Sequence, residues 1–201
     1  MKVIARLIFV AALLAALCSA QTRITGYGNL GAGFSRGLGF NTGDFALDGG
    51  ANFYHDKYFG EGELGWDSAD LTLFRDGKTL RAHGLFMYQA KEHWRFGGGL
   101  HYSRVLGEPN DRLSQYWPVA AAMYERRRFR IDNEYLFSVG SHLMTGPLAD
   151  MRVRIRKNVY FRERFGLFFY HDRGLVASPL FRGGEADFGI MYVFHERPEV
   201  Q

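Results

Sequence analysis

The side chains able to do chemistry in this sequence are few, and several lie close together. His101-Tyr102-Ser103 sets a base and a hydroxyl two positions apart, so an extended backbone puts both on one face. That is the minimum pair for nucleophilic catalysis, the imidazole taking the hydroxyl proton. A third group would have to orient the imidazole, and Glu61, Glu63 and Glu108 are candidates. His83 adds a second imidazole. A tight turn over Lys91 to His93 that pairs Ala90 with Trp94 would place His83 directly across from His101. Two imidazoles can ligate a metal or titrate near neutrality. No third ligand, HExxH motif or cysteine cluster accompanies them, so a structural pair is expected, with no metal and no cofactor.

Gly26, Gly28 and Gly31 spell G-x-G-x-x-G, which binds dinucleotides only between a strand and a helix. Here the stretch runs on in strand-like alternation. These glycines, like Gly97 to Gly99, are read as places where neighbouring strands or large side chains approach closely. Arg126-Arg127-Arg128 falls at a tight turn and is read as a solvated cluster.

What must position these residues is legible from the whole chain. It has 201 residues, 47% hydrophobic and 16% aromatic, with 25 Gly and 5 Pro. Its mean hydropathy is nevertheless −0.20. That excludes a bundle of transmembrane helices, each of which needs about 20 nearly uncharged apolar residues. The aromatic content excludes a disordered chain.

Residues 1–20 read as a signal peptide: Lys2 and Arg6, an apolar run from Leu7 to Leu17, then Cys18-Ser19-Ala20 before Gln21. A lipoprotein signal would need a small residue before the cysteine, where Leu17 stands. Cleavage removes two of the 25 basic groups against 21 acidic ones, leaving a near-neutral chain of residues 21–201. Nucleic acid is not an expected partner, since no basic patch is clustered for it. Cleavage also removes the sole cysteine, so no disulfide is expected.

Beyond Gln21 the period is two. Ile24, Leu30, Ala32 and Phe34 alternate with Arg23, Thr25, Tyr27 and Asn29. Leu80, Ala82, Phe86 and Tyr88 alternate with Arg81, His83 and Gln89. Met151, Val153 and Ile155 alternate with Arg152, Arg154 and Arg156. The pattern yields ten candidate strands, with eight as the next count, each about as long as a tilted transmembrane strand.

Tight links at Asp56-Lys57, Lys91 to His93, Arg127 and Lys157-Asn158 alternate with longer ones. The longer ones are Gly37 to Gly43, Ser68 to Gly77, Val105 to Ser114, Gly140 to Gly146 and His171 to Gly183. Strict alternation of short and long links predicts an all-β, up-and-down antiparallel barrel with both termini at the tight-turn end.

The apolar face is expected to meet lipid. The other face carries Glu61, Glu63, Asp132 and Glu134 together with Arg81, Arg95, Arg130, Arg152, Arg154, Arg156, Arg162 and Arg164. Arginine suits paired, partly buried contacts because its planar fork grips a carboxylate bidentately. Trp66, Trp94, Tyr102, Trp117 and Tyr192 fall near strand ends on the apolar face, where aromatic girdles belong. Glu163 interrupts that face. A register in which Glu134 faces Arg154 and Asp132 faces Arg156 would pair the charges of the seventh and eighth strands.

The sequence resembles the small outer-membrane β-barrels of Gram-negative bacteria, in the style of the outer-membrane-protein-A-like barrels. The resemblance covers the signal peptide and nearly all of residues 22–196. Its most specific element is the last strand, where Asp187, Gly189, Tyr192 and Phe194 match the family's assembly signal. It implies export by the general secretory route, insertion by the barrel-assembly machinery, and outer-membrane lipid as the surrounding partner. The family usually ends at the last aromatic residue, whereas here His195 to Gln201 follow.

His101 and Ser103 also resemble the His-x-Ser of the outer-membrane lipid A deacylases, where these residues are base and nucleophile. That family has Asn after the Ser, where Arg104 stands, and a Glu further on, where position 115 is Gln. The expectation is a non-enzymatic barrel with a charged, largely plugged lumen, structural or acting through its outer loops. Phe74, Leu106, Met144, Leu180 and Phe181 lie in those loops as contact residues for a surface ligand that the sequence does not name. The alternatives are a lipid hydrolase using His101 and Ser103, a soluble lipocalin-like periplasmic barrel, and a narrow anion-preferring pore.

Overall fold

A computed structural model describes residues 22–37, 40–68, 78–106, 114–137, 142–172 and 180–194. The signal segment, Phe74, Glu108 and the tail from His195 lie outside them. Ten antiparallel strands account for nearly all of the described chain. They are β1 (Thr22–Gly37), β2 (Phe40–His55), β3 (Tyr58–Asp67), β4 (Thr79–Lys91), β5 (Trp94–Val105), β6 (Ser114–Arg126), β7 (Phe129–Leu136), β8 (His142–Arg156), β9 (Val159–Asp172) and β10 (Leu180–Phe194). Each strand pairs with its chain neighbours, and β1 pairs with β10 to close the barrel. Closure removes both sheet edges, which an open sheet would have to protect.

The tight reversals fall at Asp56-Lys57, Glu92-His93, Arg127-Arg128 and Lys157-Asn158. Asp56 and Asn158 take left-handed backbone, φ 51° and 64°, which Asp and Asn tolerate better than most residues. His83 pairs directly with His101, and a bulge at Ala90 makes Lys91 the partner of Trp94 in place of Ala90. Close approach explains Gly99, where a Cβ would run into the Gly84 carbonyl of β4.

Three sequence expectations change. The first long link shrinks: β1 and β2 pair as far as Gly37↔Phe40, leaving only positions 38–39 between them. Gly43, Thr42 and Asn41, residues typical of turns, continue the ladder instead. β8 likewise begins at His142, inside the expected link from Gly140 to Gly146.

Second, β6 faces the other way. Trp117, Val119, Ala121 and Met123 are buried inside, while Tyr116, Pro118 and Ala120 are exposed outside. Both faces of β6 are apolar, so alternation could not orient it. Register does: Met123 stands opposite Asp132 and Ala121 opposite Glu134, on the lumen face. Trp117 is therefore not a girdle residue.

Third, β7 and β8 pair six residues away from the charge-matched register. Glu134 faces Leu148, Asp132 faces Asp150 and Arg130 faces Arg152. Like charges sit side by side on the wall, which is destabilising unless their partners come from elsewhere. They come from across the barrel.

Outside, Leu30, Leu47, Leu64, Phe86, Phe96, Leu100, Phe165, Phe188 and Ile190 are all exposed. Inside, Glu61, Glu63, Asp132, Asp150, Arg130, Arg152, Arg162 and Arg164 are all buried. This inverts the partition of a water-soluble protein. A continuous apolar wall of this extent needs an apolar solvent.

Candidate functional site

The lumen is built around two carboxylates on β3. Glu61 and Glu63 are two residues apart, so the pleat aims both inward. Glu61 accepts from Arg130 and, at 2.6 Å, from Arg152. Glu63 accepts from Arg164 at 2.7 Å and pairs with Arg162 at 2.8 Å. The Tyr27 hydroxyl of β1 lies 2.9 Å from both carboxylates and can donate to either. It reaches them because Gly50 on β2 has no side chain: a Cβ there would stand 2.6 Å from that hydroxyl.

Three of these arginines, Arg130, Arg152 and Arg162, are held on their own side as well. Arg130 Nε donates to Asp132 at 2.8 Å, and Arg162 Nε donates to Asp150 at 2.9 Å. Arg152 also reaches Asp150, at 3.2 Å. Each side-by-side arginine thus shares carboxylates from two walls. Adjacent guanidiniums are tolerable inside a barrel for that reason, although they would repel on an open sheet.

Toward the long-link end, Arg81 pairs with Asp67 and, at 3.1 Å, with Asp48. Asn29 donates to Asp48 at 3.0 Å, and His83 Nε2 lies 3.1 Å from Glu134. Toward the tight-turn end, Arg95 Nη1 donates to Glu125 at 2.5 Å, and Tyr54 donates to the same carboxylate. Beside this lattice packs an apolar cluster of Phe59, Leu85, Met87, Trp117, Val119, Ala121, Met123, Leu136 and Leu148. The guanidinium of Arg130 lies over the Phe59 ring at 4.7 Å, joining the charged and apolar parts.

Of the charges expected inside, Arg156 is not in the lattice. A bulge between Arg154 and Arg156 breaks the alternation at the end of β8, and Arg156 is exposed beside the turn. Arg154 is half-buried, its guanidinium 5.9 Å from the Tyr160 ring centroid. Asp150, Asp48 and Tyr27 are lattice members that sequence reading left out. Asp150 was findable: it stands two residues before Arg152 and so shares its face. Starting the eighth strand at Met151 hid it.

His101 and Ser103 are both buried inside the barrel. The His101 ring meets Trp117 edge to face at 5.7 Å and lies 5.6 Å from His83. The bonds of Glu61 and Glu63 go to arginines and Tyr27, so neither carboxylate orients His101. Tyr102 points outward and packs against Tyr116, the rings tilted by 36° with centroids 4.7 Å apart. On β10, Tyr192 and Phe194 are exposed on the outer wall, while Asp187 and Gly189 lie on the inner face opposite Gly33 and Gly31.

Apolar wall and ionic interior together define a transmembrane β-barrel. Solved structures similar in course include the KdgM porin in complex with disordered oligogalacturonate, at 10% identity, covering 87% of this chain and 99% of that one, TM-score 0.43. Neisserial surface protein A matches at 11% identity over 85% and 97%, TM-score 0.37. The outer membrane protease OmpT from Escherichia coli matches at 10% identity over 86% and 96%, TM-score 0.37. No protein-family model matches the chain, and no curated protein does.

Proposed function

We propose that the protein is an integral outer-membrane barrel closed by its own side chains, with a structural or surface-contact role and no catalytic one. The lattice that ties β3 to β7, β8 and β9 through Glu61 and Glu63 carries this reading. It crosses the lumen and stands between a cavity of about 340 Å³ at the tight-turn mouth and one of about 20 Å³ beside Arg81 and His101. A free pore would need guanidiniums facing water, whereas the central ones are engaged by carboxylates. That favours a closed barrel over an anion-preferring one. A hydrolase reading is disfavoured because His101 and Ser103 face packed interior, away from lipid acyl chains.

In this arrangement residues 1–20 direct export and are removed, and the tight turns face the periplasm. Tyr58, Tyr88, Trp94, Tyr124 and Tyr192 form one girdle, with Trp66, Tyr102, Tyr116 and Tyr135 forming the other. Asp187, Gly189, Tyr192 and Phe194 serve recognition by the assembly machinery. The longer links over 69–77, 107–113 and 173–179 provide the outer contact surface. Cell fractionation with heat-modifiable gel migration tests the location. The expected result is an outer-membrane band beginning at Gln21 that migrates faster unheated than boiled. Recovery in the soluble periplasmic fraction would overturn the proposal.

A further inference from the structure

We propose that the tight-turn mouth of the barrel is a binding site for a small organic phosphate, whether a soluble phosphate ester or the headgroup of an anionic phospholipid. Its volume of about 340 Å³ lies within the size range of ligand cavities. Arg23, Arg95, Arg126, Arg127, Arg130 and Arg152 line it. Arg130 and Arg152, at its floor, already hold Glu61, Asp132 and Asp150. Of the others, Arg23, Arg95 and Arg126 face one lining carboxylate among the described residues, Glu125, which Arg95 and Tyr54 share. The carboxylates of the neighbouring turns, Asp56 and Glu92, do not line the cavity.

The chemistry of the complement follows from this lining. The positive excess calls for more than one negative charge, which a phosphate monoester carries near neutral pH and a single carboxylate does not. Guanidinium forks match phosphate oxygens in pairs. Tyr54, Phe129 and Tyr160 give the same cavity aromatic surface for the organic part. Arg23 and Arg95 lie over the Tyr54 ring at 5.4 and 5.6 Å, so two of the cations are held in place before any ligand arrives. The site is independent of whether the lumen beyond it conducts.

The test uses the full mature barrel in detergent micelles, titrated calorimetrically with glycerol 3-phosphate. In parallel the barrel, in nanodiscs of phosphatidylcholine, is offered increasing phosphatidic acid, whose headgroup is a phosphate monoester, and its bound lipid is counted by native mass spectrometry. Saturable binding in either arm is expected, weakening with added salt. Arg23→Gln with Arg126→Gln should weaken it about tenfold or more, while Lys78→Gln at the other end leaves it unchanged. Saturation by glycerol 3-phosphate assigns a soluble ester, and saturation by phosphatidic acid alone assigns a headgroup; both support the site. No saturable binding in either arm, or binding indifferent to the double substitution, overturns it. Heat-modifiable migration checks that the double variant is folded, and each single variant replaces it if it is not.

Discussion

Glu61→Ala is expected to lower the stability of the folded barrel by about 3–5 kcal/mol, read from urea unfolding in lipid vesicles. The size follows from what Glu61 holds. It accepts from both Arg130 and Arg152, neighbours across β7 and β8, and lies within reach of Tyr27. Without it two buried guanidiniums face each other with less compensating charge, and removing one partner of a buried pair costs far more than the pair contributes. Glu61→Gln keeps an acceptor oxygen and should lose less. A loss under about 1 kcal/mol for the alanine variant would put the pair in the weak class of solvent-exposed bridges and remove the lattice from the structural explanation.

Leu30→Arg is expected to cost about 2–4 kcal/mol, or to block insertion outright. Leu30 lies on the outer wall in a row with Ile190 on β10 and Leu47 on β2, all three about half exposed. It sits midway along β1, far from either end, so an arginine there cannot readily reach the headgroups. In a soluble barrel the same change on an exposed site would be near neutral, within about 0.5 kcal/mol. Heat-modifiable migration after refolding into vesicles separates the two outcomes. A stable, fully soluble Leu30→Arg protein would show that this face meets water.

The strand count, the connectivity and most of the facing were legible in the sequence because alternation is strong wherever one face is charged. β3 and β9 show why: Glu61 with Glu63, and Arg162 with Arg164, mark the inner face without ambiguity. β6 was illegible for the opposite reason. With Trp117, Val119 and Met123 on one face and Tyr116, Ala120 and Ala122 on the other, neither side is polar enough to identify the lumen. Only the pairing with Asp132 and Glu134 orients it.

Register was the harder problem. Matching Glu134 with Arg154 assumes that a charge finds its partner on the adjacent strand. In a closed barrel it can also find it on the opposite wall, as Arg152 finds Glu61 on β3. Pairing across a closed interior depends on stagger and diameter, which no local pattern encodes. The same limit applies to His101 and Ser103. Their shared face followed from spacing, but the packing of His101 against Trp117 and the engagement of Glu61 and Glu63 by arginines followed only from the closed fold.

The proposed closure of the lumen is most directly tested by conductance of the purified, refolded protein in planar bilayers at symmetric salt. The expected trace has no sustained open level for the unaltered barrel, because in the proposed function the lattice from Glu61 and Glu63 to Arg130, Arg152, Arg162 and Arg164 closes the path. A long-lived, reproducible open level from the unaltered protein would contradict it.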